Sequence, residues 1–160
     1  AMSLSFFPGF GFSIAATALV GQSVGARRPQ DGQAAARIAT RWAMIWMGSL
    51  GVIFLFFAPQ IMGFFSDDPN VIAIGAGGLR MVAVTQPFWA LGFVNSGALR
   101  GTGNTQFPLR VNTVSTWAAV GLGALFVRFI SPTLAAVWAA FLFTSPISSF
   151  LIWRRFRSQM

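Results

Sequence analysis

The chain has 160 residues, of which 55% are hydrophobic and 15% aromatic, and its 11 basic and 3 acidic residues give a net charge of +8. It has no Cys and no His, which excludes disulfides, thiol nucleophiles, imidazole bases and zinc sites built on those side chains. The only acids are Asp31, Asp67 and Asp68, so a widely spaced pair of catalytic carboxylates is not available. The composition therefore argues against an enzyme.

The positive charge is typical of either a nucleic-acid-binding protein or a membrane protein with arginine-bearing loops. Only 9% of the residues are charged, against roughly 25% in soluble domains. The basic residues are all Arg, and they are separated by long uncharged windows at 1–26, 42–66, 81–99, 111–127 and 129–153. This distribution favours a lipid bilayer as the partner and no nucleic acid.

The uncharged windows predict an all-α polytopic membrane protein with a single transmembrane domain. A hydrocarbon core of about 30 Å requires about 20 apolar residues in a helix, and the windows lack the period-2 alternation of a transmembrane barrel. We expect a bundle of five helices at about 2–25, 33–64, 69–99, 105–130 and 133–154.

Turn and capping residues separate the predicted helices. Asp31 is the expected N-cap of the second helix, and Asp68 precedes a proline in the first turn of the third. The glycine-rich segment 101–105 ends the third helix, and Ser131-Pro132 separates the fourth from the fifth. Because these connections are short, consecutive helices should pack as antiparallel neighbours.

The arginines predict the orientation of the chain. Nine arginines fall at one surface of the membrane: Arg27, Arg28, Arg37, Arg41, Arg100, Arg110, Arg154, Arg155 and Arg157. The opposite surface carries only Arg128 together with Asp67 and Asp68. The positive-inside rule places this side and the C-terminus in the cytoplasm, as in a multi-pass protein of the plasma (inner) membrane. The N-terminus is then outside, without the pattern of a signal peptide. We expect the chain to be the C-terminal part of a longer protein.

Several polar side chains fall within the predicted spans. Buried amides are costly in lipid unless protein or water satisfies them. They either line a polar cavity or hold helices together by hydrogen bonds, and for a single Ser or Thr the second role is favoured. The candidates for cavity or gating positions are Gln22, Gln86, Trp89 and Asn95.

The third predicted helix also contains residues that favour bending. Pro87 removes a backbone hydrogen bond near its middle, although a static kink that fits a neighbouring helix explains it equally well. The glycines in its first half are Gly75, Gly77 and Gly78. Arg80, in the same half, is expected either to snorkel to the surface or to reach Asp67 or Asp68.

Other residues indicate packing and the membrane surface. Gly21 and Gly25, like Gly97 and Gly101, have the small-xxx-small spacing of closely packed helices. The tryptophans beside the arginines have the positions of an aromatic belt: Trp42, Trp46 and Trp153.

Two segments resemble the multidrug and toxic compound extrusion (MATE) family of secondary transporters. The first is 6–26, which ends in Val20-Gly21-Gln22-Ser23-Val24-Gly25-Ala26. The second, 97–108, contains the more specific family-motif loop: Leu99, Arg100, Gly101, Gly103, Asn104 and Pro108. Their order and spacing are similar to those of the last five of the twelve spans in the family.

The resemblance implies a transporter with two six-helix lobes around a cleft that opens alternately to either side. This chain would be the C-terminal lobe without its first helix, and the missing N-terminal lobe would be its partner. Such proteins export amphipathic, often cationic, small molecules in exchange for Na⁺ or H⁺.

Trp89 marks a departure from the family pattern. Some members have a carboxylate at the position that aligns with Trp89, as part of a cation site, whereas no predicted span of this chain contains an acid. We therefore expect no cofactor or metal site here, and a coupling ion bound in the missing lobe.

Two alternative functions remain open from the sequence. A lipid-linked oligosaccharide flippase of related architecture predicts more cationic residues facing the cleft. A non-transporting membrane scaffold predicts that the in-span amides face other helices and that no cleft is present.

Overall fold

Glycine, proline and capping residues divide the chain into five α-helices in the computed structural model, which describes residues 2–129 and 133–160. The helices are α1 (Met2–Gly25), α2 (Pro29–Gly63), α3 (Pro69–Gly101), α4 (Gln106–Phe129) and α5 (Leu134–Gln159). This confirms the predicted all-α bundle. The predicted break at Ser131-Pro132 lies outside the described residues.

Two helix boundaries differ from the prediction. The N-cap of α2 is Arg28 and not Asp31, because Pro29 occupies the first helical position, where its fixed φ suits the helix and its missing N–H is not needed. Asp31 instead lies in the first turn, where a carboxylate interacts favourably with the helix dipole. At the other end of the chain α5 continues to Gln159, past the arginines, because charged residues mark a membrane surface without ending a helix.

The start of α3 follows the prediction. Asp68 is the N-cap, and its Oδ1 accepts a hydrogen bond of 2.8 Å from the backbone N–H of Asn70. Pro69 occupies the first turn, as the sequence indicates.

Four helices, α1, α2, α3 and α5, are long and apolar enough to cross a membrane. The first half of α4 is more polar, since it contains Arg110, Asn112, Thr113, Ser115 and Thr116. This pattern is typical of a multi-pass membrane protein.

The interior of the bundle is built from small residues, and many large apolar side chains lie outside. Ala16, Ala43, Ala58, Ala90 and Ala98 are completely buried. Phe7, Phe56, Val114, Trp117 and Ile147, in contrast, are each more than half exposed. This pattern is typical of helices that pack closely through small residues and present large apolar side chains to lipid.

Helix α3 lies at the centre, in contact with α1, α2 and α5, while α4 packs mainly on α5. Helices α1 and α3 run parallel, because the residues that are hydrogen-bonded between them are always the same number of positions apart in the sequence. The Ser13 hydroxyl donates to the Phe93 carbonyl, 80 residues on, at 2.7 Å. The Thr17 hydroxyl donates to the Gly97 carbonyl, also 80 residues on, at 2.9 Å.

Glycine makes this close parallel approach possible. A Cβ at Gly97 would overlap the Ser13 carbonyl oxygen, and one at Gly101 would lie 2.5 Å from the Thr17 carbonyl oxygen. Gly21 of α1 faces Gly101 across the same contact. The small-xxx-small spacing at Gly97 and Gly101 is therefore a packing motif between α1 and α3.

We predict that Gly97→Ala destabilises the protein by about 1–3 kcal/mol, because the added methyl group forces α1 and α3 apart. The measurement is the apparent melting temperature of the full-length protein in detergent. Gly48→Ala is the matched control, since Gly48 is a glycine of α2 with open space around it. Equal melting temperatures for the two variants would contradict the proposed close contact.

Candidate functional site

Trp89 lies in an aromatic cluster between α1, α3 and α5. Its ring centroid is 5.2 Å from that of Phe6, 6.4 Å from that of Trp138 and 6.0 Å from that of Phe141. The indole Nε1–H donates a 2.9 Å hydrogen bond to Ser145 Oγ, and the side chain is half-buried. The bond fixes the direction of the ring while part of it stays accessible.

Gln86 lies one helical turn from Trp89 and is completely buried. Its Oε1 accepts a 2.7 Å hydrogen bond from the Ser5 hydroxyl of α1, while its Nε2 is buried without a hydrogen-bond partner among the described residues. The side chain thus faces α1, which is the arrangement that the scaffold alternative expects. Its role at a gate stays a prediction.

Asn95 and Gln22 have different surroundings. Asn95 is 3% exposed, and its Nδ2 donates to the Leu91 carbonyl of its own helix at 2.8 Å. It also lies at the wall of a pocket of about 840 Å³ between α2, α3 and α5. Gln22 is exposed near the end of α1. The structure therefore brings Trp89 and Gln86 near each other, and places Asn95 at a separate cavity.

Helix α3 continues from Pro69 to Gly101 through all the residues that were predicted to bend it. A Cβ at Gly75 would overlap Met62 of α2, one at Gly78 would lie 3.0 Å from Leu134 of α5, and one at Gly77 would lie 3.7 Å from Ala135. Backbone angles outside the helical range occur instead in α2, at Phe57, two residues before Pro59. The contacts give Gly75 and Gly78 a packing role, and bending at the three glycines and Pro87 stays a prediction.

Pro87 leaves one carbonyl of α3 without its helical hydrogen bond, and that carbonyl contacts α2. Proline cannot donate to the carbonyl four residues earlier, which is that of Ala83. The Ala83 oxygen lies against Gly51 of α2, 2.8 Å from where a Cβ at Gly51 would be. The proline therefore stands at a close contact between α2 and α3.

The family-motif loop closes α3 and starts α4. The Asn104 N–H donates to the Leu99 carbonyl and the Gly103 N–H to the Arg100 carbonyl, while Gly103 has φ +87°. This is the Schellman ending, whose left-handed position favours glycine. Asn104 Oδ1 then accepts from the Phe107 N–H at 3.2 Å and caps the start of α4, next to the buried Pro108.

The same kind of ending occurs after α1, with an arginine in the left-handed position. Arg27 has φ 56°, and the Arg28 N–H donates to the Ser23 carbonyl at 2.8 Å. Because α1 and α3 run parallel, the two turns lie at the same end of the bundle, with Arg27, Arg28 and Arg100.

Arg80 is exposed on α3. Across residues 2–129 and 133–160 no ion pair joins it to Asp67 or Asp68, so the alternative that Arg80 snorkels to the membrane surface stays as the prediction. Among the tryptophans of the predicted belt, Trp42 and Trp46 are 57% and 42% exposed and Trp153 is half-buried, and their position at the membrane surface stays a prediction.

The family model described as MatE matches residues 1–125 of the chain. The chain belongs to the MATE family. Among its relatives, the "Probable multidrug resistance protein NorM" of Thermotoga maritima is 31% identical over 137 residues, which cover 85% of this chain and 30% of that protein. The human "Multidrug and toxin extrusion protein 1" is 26% identical over 119 residues, or 72% of this chain and 21% of that protein.

The fold is also similar to a solved structure described as the inward-facing conformation of a multidrug resistance MATE family transporter of the MOP superfamily. The TM-score is 0.88 at 20% sequence identity, and the match covers 98% of this chain and 37% of that one. The MATE fold is therefore present over nearly the whole chain. The matched segments cover only 21% to 37% of the length of these three proteins.

Sequence reasoning missed the pocket beside Asn95, because it used the arginines only as markers of orientation. Arg37 and Arg41 of α2 and Arg157 of α5 line this pocket together. The spacing of Arg37 and Arg41, four residues apart, was the available signal, since it places both side chains on one face of the helix. The contribution of α5 depends on packing that the sequence does not specify.

We predict that Ser5→Ala lowers stability by about 1–3 kcal/mol, because the Gln86 carbonyl oxygen then has no partner at a completely buried position. The double variant Ser5→Ala/Gln86→Leu should recover most of this loss, since replacing both partners by apolar groups is nearly neutral. Thermal unfolding of the full-length protein in detergent measures both effects.

Ser49→Ala is the control for this pair, because the Ser49 hydroxyl is exposed and bonds only within its own helix, to the Trp46 carbonyl. If Ser5→Ala and Ser49→Ala had the same small effect, the buried hydrogen bond would not hold α1 to α3.

Proposed function

We propose that this chain is the C-terminal lobe, without its first helix, of a secondary active exporter. The full-length protein would exchange an amphipathic, often cationic, compound for Na⁺ or H⁺ by alternating access. It would lie in the plasma (inner) membrane, and its partners would be the bilayer, the small-molecule substrate and the N-terminal lobe.

The observation that carries this proposal is family membership combined with a fold match over 98% of the chain and only 37% of the matched structure. The remainder of such a structure is long enough for a second lobe. Transporters built from two repeated halves move one half against the other around a central site.

The hydrogen bonds around α3 support a lobe that moves as one body. Ser13 and Thr17 join α1 to α3, while Ser149 donates to the Phe88 carbonyl at 2.6 Å and joins α5 to α3. A rocking motion needs such a unit, since its helices must keep their contacts while the cleft opens and closes.

We propose an orientation in which the C-terminus lies in the cytoplasm. It rests on the excess of arginines where α1, α3 and α5 end, against Asp67, Asp68 and Arg128 at the opposite end. Labelling of a single introduced cysteine at Ser158, from each side of intact cells, tests this orientation.

Trp89 is the residue that we propose for contact with the substrate. Its accessible ring and its aromatic neighbours suit the flat, apolar part of an amphipathic compound, and an indole face attracts a cation. Gln86, Asn95 and Gln22 are proposed as gating or cavity residues, with Gly75, Gly77, Gly78 and Pro87 as bending points.

The coupling ion is proposed to bind in the N-terminal lobe. The chain's acids lie at the helix starts, Asp31 in the first turn of α2 and Asp67 and Asp68 just before α3, and none lies in the middle of a helix. A proton relay requires a titratable group, and a desolvated cation requires oxygen ligands, for which a carboxylate in another part of the full-length protein is the expected source.

We predict that the full-length protein, reconstituted in liposomes, moves a fluorescent lipophilic cation when an Na⁺ or H⁺ gradient is imposed, and that dissipating the gradient stops the movement. Fluorescence of the dye inside the vesicles is the measurement, with protein-free vesicles as the control. Absence of movement under both gradients for several cations, by a protein that is folded and monodisperse, would contradict the proposed exchange.

We predict that Trp89→Phe in the full-length transporter changes the relative rates for substrates of different size more than it changes the dependence on the ion. Phenylalanine keeps an aromatic ring but loses the bond to Ser145 and part of the contact area. Trp117→Phe is the matched control, because Trp117 of α4 is 71% exposed. Loss of ion dependence in the Trp89 variant would contradict the assignment of coupling to the other lobe.

A further inference from the structure

The pocket beside Asn95 concentrates positive charge at the arginine-rich end of the bundle. Arg37 and Arg41 line it from α2 and Arg157 from α5, and no acidic residue is among the side chains at its wall. In the part of the chain that the structure describes, no ion pair neutralises these guanidinium groups. Like charges one helical turn apart repel each other, so a bound anion would relieve an unfavourable arrangement.

The polar groups at the wall suit a phosphate. A guanidinium group presents a planar fork of N–H donors that matches two phosphate oxygens. The Arg157 guanidinium lies 4.9 Å from the centroid of the Trp153 ring, which limits its freedom. Gln33 and Thr40 add polar side chains from α2 to the same wall.

The pocket is also apolar on one side. Met44 and Ile45 line it one turn beyond Arg41, and they are 40% and 52% exposed. The exposed Trp42 and Trp46 lie on the same stretch of α2. An inorganic phosphate would leave this apolar side uncovered, whereas the glycerol and acyl chains of a phospholipid would cover it.

We propose that this pocket binds the headgroup of an anionic phospholipid, with the phosphate at Arg37, Arg41 and Arg157 and the acyl chains along Met44 and Ile45. Basic pockets between transmembrane helices at the cytoplasmic surface are sites of this kind. The lipid would bridge α2 and α5 across α3. The proposal needs the membrane location of the bundle and does not depend on transport.

Native mass spectrometry of the full-length protein tests the site, with phosphatidylglycerol and phosphatidylcholine of equal chain length offered in equal amounts. We expect phosphatidylglycerol to be retained in preference, and Arg37→Gln/Arg41→Gln/Arg157→Gln to lower that preference about a hundredfold, since each of the three basic residues contributes about fivefold to the affinity for an anionic lipid. An excess of inorganic phosphate should not displace the lipid.

Two matched variants separate the pocket from general charge and from misfolding. Arg27→Gln/Arg28→Gln/Arg154→Gln removes the same charge at the same end of the bundle but outside the pocket, and it should keep the preference. Arg37→Lys/Arg41→Lys/Arg157→Lys keeps the charge and should retain most of the binding.

Several results would overturn the proposal. They are the absence of a lipid preference in the wild-type protein, an unchanged preference in the pocket triple Gln variant, and an equal loss in the control triple variant. If the triple Lys variant lost the lipid preference to the same extent as the pocket triple Gln variant, the loss would come from disturbed packing. Displacement of the lipid by an excess of inorganic phosphate would make a small anion the ligand.

Discussion

The close parallel contact between α1 and α3 is the constraint on which the rest of the bundle depends. Hydroxyl groups of α1 donate to carbonyls of α3, and they reach them only because Gly97 and Gly101 allow the two backbones to meet. Hydrophobic burial gives little reason for helices to associate inside a bilayer, so van der Waals packing and interhelical hydrogen bonds must do so. Once α1 and α3 are in register, α2 and α5 pack on the remaining faces of α3.

The central position of α3 explains why so many of its side chains are of the types that sequence analysis assigns to a functional site. A helix with neighbours on three sides needs small residues and satisfied polar groups whether or not it binds anything. Gly75 and Gly78 leave room for the side chains of Met62 and Leu134. Gln86 accepts a hydrogen bond from the Ser5 hydroxyl. Trp89 combines a hydrogen bond to Ser145 of α5 with a partly accessible ring, which leaves part of the indole for the substrate contact that we propose.

The helices were predictable because their ends are set by local chemistry. Asp68-Pro69 and Gly103-Asn104 determine a start and a stop through backbone angles and caps, whatever surrounds them. The start of α2 was misjudged because Asp31 and Pro29 are both good start signals, and the proline acts first. The site was less predictable, since Ser5 and Gln86 are 81 residues apart and Trp89 and Ser145 are 56 apart. Such pairs depend on the helix register, which hydrophobic windows do not contain.

The length of α2 has a mechanical consequence. Its 35 residues would extend about 52 Å as a straight helix, considerably more than the roughly 30 Å thickness of a hydrocarbon core, and non-helical backbone angles at Phe57 divide this length in two. The first turns are packed into the bundle, since Gly32 contacts Val20 of α1 and Ala36 is buried. These turns must therefore follow any tilt of the bundle, and a spin label or fluorophore at the exposed Gln30 would report the motion without touching the interior.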